Sequence, residues 1–354
     1  MALGRGKPVV DARRAGSIEA AFRRSLRAAV VGDWATAETW LERIVEADTD
    51  DLDAYHALAR LYREQGAIGR AIRMHQNLLL RADLDRASRR EARLELARDF
   101  DAGGFATRAA AAYEEVLAEV PRHPEALARR VELSRELKDF DRGLALARRW
   151  RRVDRHAAAS AEVALLLAQS TARTNEGDHD GARASLKRCL KRDRDCAEAW
   201  ARLGDLEAEK RRDARAIAAW TRAVRAKPVM GEALLPKISA GFAARRRPAD
   251  YERLLRKEMA RMPGEVTFPL ALSRALRARG ESAEAIECLS SAIDARPDDL
   301  GLRVELGRQL LDDGLEHEAL KAYAGLLTQL DQGSQRGESL EWSVDMGRVS
   351  GETP

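Results

Sequence analysis

Aromatic residues make up only 5% of the 354 positions, and the sequence holds three cysteines, ten prolines and two asparagines, Asn77 and Asn175. Each scarcity excludes a class of protein. Cys189, Cys196 and Cys288 are odd in number and lack C-x-x-C spacing, so neither a disulfide framework nor a zinc knuckle is expected, and a reducing compartment fits. No apolar run approaches the roughly 20 residues of a membrane helix, and the opening stretch to Gly16 carries charges where a secretory signal needs an apolar segment. The signatures H-E-x-x-H, G-x-x-x-x-G-K-[ST] and G-x-S-x-G are missing, as is a dinucleotide-binding glycine pattern after a strand. Among the histidines, His75 falls on a helix seam, while His123, His156, His179 and His317 fall near turns or helix starts. The expectation is a non-enzymatic protein with no cofactor and no metal.

What is abundant is charge of both signs. Charged residues reach 34%, with 62 basic against 58 acidic side chains and a formal net charge of +4. Most basic residues alternate with Asp and Glu at helical spacing, without a concentrated basic stripe, so no nucleic-acid partner is expected. The runs Arg148, Arg149, Arg151 and Arg152 around Trp150, and Arg245 to Arg247, read as helix-end charges that favour the helix dipole. Ala, Leu, Arg and Glu dominate the rest, the mix of long amphipathic helices.

A repeat organises these helices. Helix-to-helix turns align on Gly32, Gly66, Gly104, Lys138, Gly177, Arg211, Arg246, Gly280 and Gly314, at steps of 34, 38, 34, 39, 34, 35, 34 and 34 residues. The residue five positions after each turn is small at eight of nine sites: Ala37, Ala71, Ala109, Gly143, Ala182, Ala216, Ala285 and Ala319, with Tyr251 the exception. Four positions further on, Leu41, His75, Tyr113, Ala147, Leu186, Trp220, Leu255, Leu289 and Tyr323 form a mostly large, apolar seam. The two long steps are expected to carry four or five extra residues in connecting segments. Asp33 and Asp139 are expected to start second helices, Ser17 to cap the first, and Pro236 to delay or kink the helix it enters.

The period of 34, with Trp200, Leu203, Gly204, Ala216, Trp220, Ala223 and Pro228 in sequence, resembles the tetratricopeptide repeat, whose large residues, Trp200 among them, are expected to fill the seam between paired helices. That resemblance implies an all-α fold, a right-handed superhelical solenoid of about nine helix-turn-helix repeats. The expected layout is a disordered basic arm over 1–16, the array over 17–331 and a disordered tail over 332–354, in which Trp342 and Met346 stand out. First helices of such an array line a concave face. Positions there include Asp53, His56, Arg60 and Arg63, then Glu91 and Arg98, then Glu132 and Arg135, and finally Arg274, Arg277 and Arg308. These arginines are expected to form a partner-binding groove with His56, holding carboxylates of a protein or peptide. With Asn77 assigned to a second helix, the Asn and Lys clamp that chaperone-binding repeats use is not expected.

The stretch Leu61 to Leu117 carries a more specific likeness. Gly66, Arg70, Ala71, Ile72, Arg73, His75 and Gln76, then a lengthened connector, then Leu96, Arg98, Asp99, Gly104 and Ala109, resemble the lipopolysaccharide assembly protein B family. The resemblance implies a bacterial adaptor that presents the deacetylase of lipid A synthesis to a membrane AAA+ protease. The sequence shows neither that family's N-terminal membrane helix nor its C-terminal rubredoxin-like module with paired C-x-x-C ligands. The expectation is a cytoplasmic scaffold that reaches an inner membrane only through a partner. The alternative is an architectural, self-associating repeat protein with no part in lipopolysaccharide control.

Overall fold

The computed structural model describes the backbone over residues 7–324 and side chains from Gly16 onward. The chain divides into two compact units, residues 1–194 and 195–354. The first contains α1 (Lys7–Val30), α2 (Trp34–Ala47), α3 (Leu52–Glu64), α4 (Ile68–Leu79) and α5 (Arg86–Ala102). It continues with α6 (Ala106–Glu119), α7 (Pro124–Glu136), α8 (Phe140–Trp150), α9 (Arg155–Asn175) and α10 (His179–Arg192). The second contains α11 (Ala197–Glu209), α12 (Asp213–Ala226), a 3-10 turn at Pro228–Met230, α13 (Gly231–Ala244) and α14 (Pro248–Arg261). It ends with α15 (Thr267–Ala278), α16 (Ser282–Ala295), α17 (Leu300–Asp312) and α18 over 316–324. The described residues are all-helical, and within each unit consecutive helices pair as the repeat predicts.

The turns explain why the pairs form. All nine aligned positions adopt positive φ: six are glycine, and Lys138, Arg211 and Arg246 take 56°, 54° and 54°. Each ends its helix with crossed backbone bonds. At the first Gly-free turn, Asp139 N–H donates to Ser134 O at 2.8 Å and Lys138 N–H to Arg135 O at 3.3 Å, which satisfies carbonyls the helix would otherwise leave open. Aspartates begin many of the helices. Asp33 accepts from Thr36 N–H at 3.1 Å, Asp51 from Ala54 at 3.0 Å and Asp299 from Leu302 at 3.0 Å. Asp139 stands at the cap position of α8 too, but its carboxylate faces Arg130 at 3.3 Å and caps nothing.

The small positions let paired backbones meet. Ala37, Ala71, Ala109, Ala182, Ala216, Ala285 and Ala319 are fully buried. At Gly143 a Cβ would lie 2.7 Å from Ser134 Cβ, so α8 approaches α7 more closely than alanine permits. The seam residues beside them are buried as well, His75 included, except Tyr323, which is half-buried.

Four expectations need correction. The extra residues of the two long steps mostly lengthen first helices: α5 has 17 residues and α9 has 21, against 13 in α3, α7 and α11. The inserted stretches are rich in Ala, Arg and Glu, which propagate a helix more readily than they end one. Helix α1 begins at Lys7, inside the expected arm, and runs through Ser17 without a cap there. Pro8 lies in its first turn, where a missing N–H costs nothing. Helix α13 starts at Gly231, five residues before Pro236, so the proline does not delay it. Trp200, expected in the seam, is only half-buried, with the Arg222 guanidinium 4.5 Å above its ring; Trp220 fills the seam. The expected tail over 332–354, with Trp342 and Met346, lies outside the described residues, as do residues 1–6 of the arm.

Candidate interaction surface on the first helices

Three of the arginines expected to await a partner are already engaged. Arg60 and Arg63 lie three apart on α3, and Glu95 and Asp99 four apart on α5, so two short rows of side chains face each other across adjacent repeats. Arg63 donates to Glu95 Oε2 at 3.0 Å and to Asp99 Oδ1 at 2.7 Å. Arg60 Nε donates to Glu95 Oε1 at 3.0 Å, and Arg98 reaches both Glu95 and Glu125. Both Glu95 and Asp99 are 0% exposed. Burial alone would raise the Glu95 carboxyl, but the hydrogen bond from Arg60 and the charges of Arg98, Arg60 and Arg63 override it and hold the pKa at about 2.

The network extends into the seam through two histidines. His75 Nδ1 lies 2.5 Å from Asp99 Oδ2, and His75 Nε2 lies 3.1 Å from His56 Nδ1. With Asp99 accepting from His75 Nδ1–H, His75 Nε2 is left to accept from His56 Nδ1–H. Burial, then the neighbouring His75, lowers the His56 pKa. This explains how a histidine can occupy a position that is apolar in most other repeats.

The second unit uses the same device. Glu258 takes both arms of Arg225, and Glu252 accepts from Arg279 at 2.5 Å. Arg308 donates to Glu305 at 2.7 Å, Arg274 lies 3.5 Å from the same carboxylate, and Arg277 donates to the Gln309 carbonyl at 2.9 Å. Arg135 is exposed and forms no ion pair with the described residues. Of the family-like residues, Gly66 supplies the positive-φ turn, and Arg70 donates to Glu38 at 2.7 Å while stacking 4.2 Å from the Tyr62 ring. Arg73 and Gln76 are exposed. Sequence reasoning missed Glu95, Asp99, Glu258 and Glu305 as acceptors; their signal was a carboxylate at an inward helical position about one repeat away from an arginine.

Open grooves lie between these helices. In the second unit a groove of about 590 Å³ is lined by Leu235 and Pro236 of α13, Tyr251 of α14 and Leu270 of α15, with Glu232 and Arg274 among its charged lining residues. In the first unit one of about 370 Å³ has Trp150, Arg135 and Leu165 on its walls, and one of about 400 Å³ has His56 and Trp34. No cluster of metal-ligating side chains occurs among the described residues. No described helix is long and apolar enough to cross a membrane.

Comparison with known proteins agrees with this architecture. The family profile described as tetratricopeptide repeat matches residues 94–161, 167–231 and 270–334. No curated protein matches the sequence. Similar solved structures include a tetratricopeptide repeat protein from Parabacteroides merdae, at 15% identity over 83% of this chain and 99% of that one, with a TM-score of 0.40. A second is the TPR2AB domain of yeast Sti1 in its complex with pHSP90, at 14% identity over 86% and 99%, TM-score 0.34. A third is MamA from Desulfovibrio magneticus, at 16% identity over 50% and 98%, TM-score 0.30. The repeat is a protein-interaction fold. With its profile matched over more than half of the residues, the chain belongs to the tetratricopeptide repeat family.

Proposed function

We propose that the protein is a non-enzymatic adaptor that seats a peptide segment of a partner protein in the open grooves of its first helices. The observation that supports this best is the groove of about 590 Å³ in the second unit. Its floor is apolar, and Glu232 and Arg274 offer opposite charges to orient an extended chain. The engaged arginines 60, 63 and 98 serve inter-repeat packing in this reading, and recognition falls to the groove walls. A photo-crosslinking residue placed at Leu270 should capture a partner in the native host, while one at the exposed Arg253 on α14 should not. Equal capture at the two positions would overturn the groove assignment.

Within that reading, the likeness of Leu61 to Leu117 to lipopolysaccharide assembly protein B favours control of lipid A synthesis, through presentation of the deacetylase to its protease. His75, Asp99, Arg98 and Arg70 of that likeness all take part in buried or inter-repeat contacts, so the shared residues preserve a shaped surface. Deleting the gene should then change the cellular level of the deacetylase. Unchanged turnover would leave the adaptor reading standing and remove the pathway.

A further inference from the structure

The groove of about 400 Å³ in the first unit differs from the others in its charge. Helices α1 to α3 build it, with Glu91 of α5 on its edge. Phe22, Leu26 and Trp34 supply apolar wall, and Leu26 is 51% and Trp34 42% exposed, so the pocket presents apolar surface to water. Asp53, Glu64 and Glu91 are exposed and form no ion pair with the described residues. Arg60, the cation on the same lining, is held by the buried Glu95. At the base lies His56, 5% exposed, whose Nδ1 is taken by His75 and whose Nε2 has no hydrogen-bond partner among the described residues. The pocket thus combines an apolar wall, three unneutralised carboxylates and a ring nitrogen that can accept a hydrogen bond.

We propose that this pocket binds a basic–apolar peptide segment of a partner protein, an apolar side chain seated against Leu26 and Trp34 and flanking Lys or Arg side chains on Asp53, Glu64 and Glu91. The inference rests on the adaptor reading but concerns a different unit, and it reverses the sign of the ligand expected from the arginines. Charge complementarity selects the occupant: the carboxylates are satisfied by cations, and the neutral imidazole accepts from an ammonium or amide N–H. The whole chain carries +4, so a general attraction for basic peptides is not available to imitate the effect.

The test is fluorescence anisotropy of the full chain with the labelled peptide Gly-Lys-Arg-Leu-Phe-Lys-Lys-Gly at low and moderate salt. The acidic counterpart with Glu for each basic residue and a version with Ser for Leu and Phe serve as comparisons. Wild type should bind the first peptide and weaken as salt rises. The triple variant Asp53→Lys, Glu64→Lys and Glu91→Lys should lose at least about tenfold in affinity, as should Trp34→Ser, corresponding to about 1.4 kcal/mol. The milder Asp53→Asn, Glu64→Gln and Glu91→Gln set should fall between, which guards against misfolding as the cause. Leu270→Glu, which spoils the second unit's groove, should leave this binding unchanged, so failure there is distinguishable from failure here. No binding by wild type, equal binding by the triple variant, or preference for the acidic peptide would each overturn the proposal. So would concentration-dependent dimers that the triple variant abolishes, because the occupant would then be a second copy.

Discussion

The indole of Trp220 rests against Gly204 so closely that a Cβ at that glycine would lie 2.4 Å from Trp220 Cδ1. Trp220 is also anchored, its Nε1–H donating to Asp205 Oδ1 at 3.1 Å, so the ring has little freedom to retreat. Gly204→Ala should therefore destabilise the second unit by about 1–3 kcal/mol through overpacking. Trp220→Ala should cost about 3–5 kcal/mol, and the half-buried Trp200→Ala distinctly less. Urea unfolding followed by circular dichroism orders the three. Trp200→Ala costing as much as Trp220→Ala would show that the seam had been assigned to the wrong tryptophan.

Three turns hold a side chain where the others hold glycine. Lys138, Arg211 and Arg246 have φ values of 54–56° and are exposed, so replacing them disturbs no core packing. Each of Lys138→Gly, Arg211→Gly and Arg246→Gly should raise stability by roughly 0.5–1 kcal/mol, because glycine escapes the Cβ clash of the left-handed region. Conversely Gly66→Ala should lose about 1 kcal/mol although its Cβ would meet no atom within 4 Å, the strain being entirely in the backbone. Thermal melts of the four single variants check both signs.

The turns were legible in the sequence because the left-handed requirement falls on one residue per repeat, and the small seam residues follow it at fixed spacing. All nine aligned turns were placed correctly, including the three without glycine. The roles of the arginines were not legible. A solvated Arg60 and one bound to Glu95, 35 residues away, occupy the same helical position, and only the approach of α5 to α3 distinguishes them. Likewise the unpaired state of Asp53, Glu64 and Glu91 depends on where every neighbouring cation goes, which local spacing does not encode. The extra residues in α5 and α9 were misplaced for a simpler reason: a helix inserts whole residues without changing the turn alignment at either end.

Glu95 joins three arginines from two helices, so removing its charge should be felt across the junction. Glu95→Gln leaves Arg63, 14% exposed at its side chain, facing only Asp99 and the amide, and should cost about 3 kcal/mol. Combining it with Arg63→Met should recover part of the loss, since the unpaired guanidinium is then gone. A double-mutant cycle by chemical denaturation measures the coupling; additive losses would show that the pair contributes nothing of its own.

Acid should unfold the chain in two stages with opposite origins. His56 has a lowered pKa, from burial first and then from His75, opposed by Glu91 and Glu95 and aided by Arg60. The folded state therefore binds fewer protons at this ring than the unfolded state just below the ordinary value of 6.5, and its contribution, full above 6.5, is lost as pH falls beneath it. Glu95 and Glu305 each hold a pKa near 2 against an ordinary 4.5, so their contribution is full above 4.5 and disappears as pH falls towards 2. Denaturation midpoints measured from about pH 8 to about pH 2.5 at roughly half-unit intervals should show a shallow loss beginning near 6.5 and a steeper one below 4.5. His56→Gln should flatten part of the first without touching the second, the remainder belonging to His123, whose pKa burial also lowers. Glu95→Gln should flatten only part of the second, because Glu305 titrates in the other unit over the same range. A single acid transition unaffected by either substitution would show that the buried network is not what acid attacks.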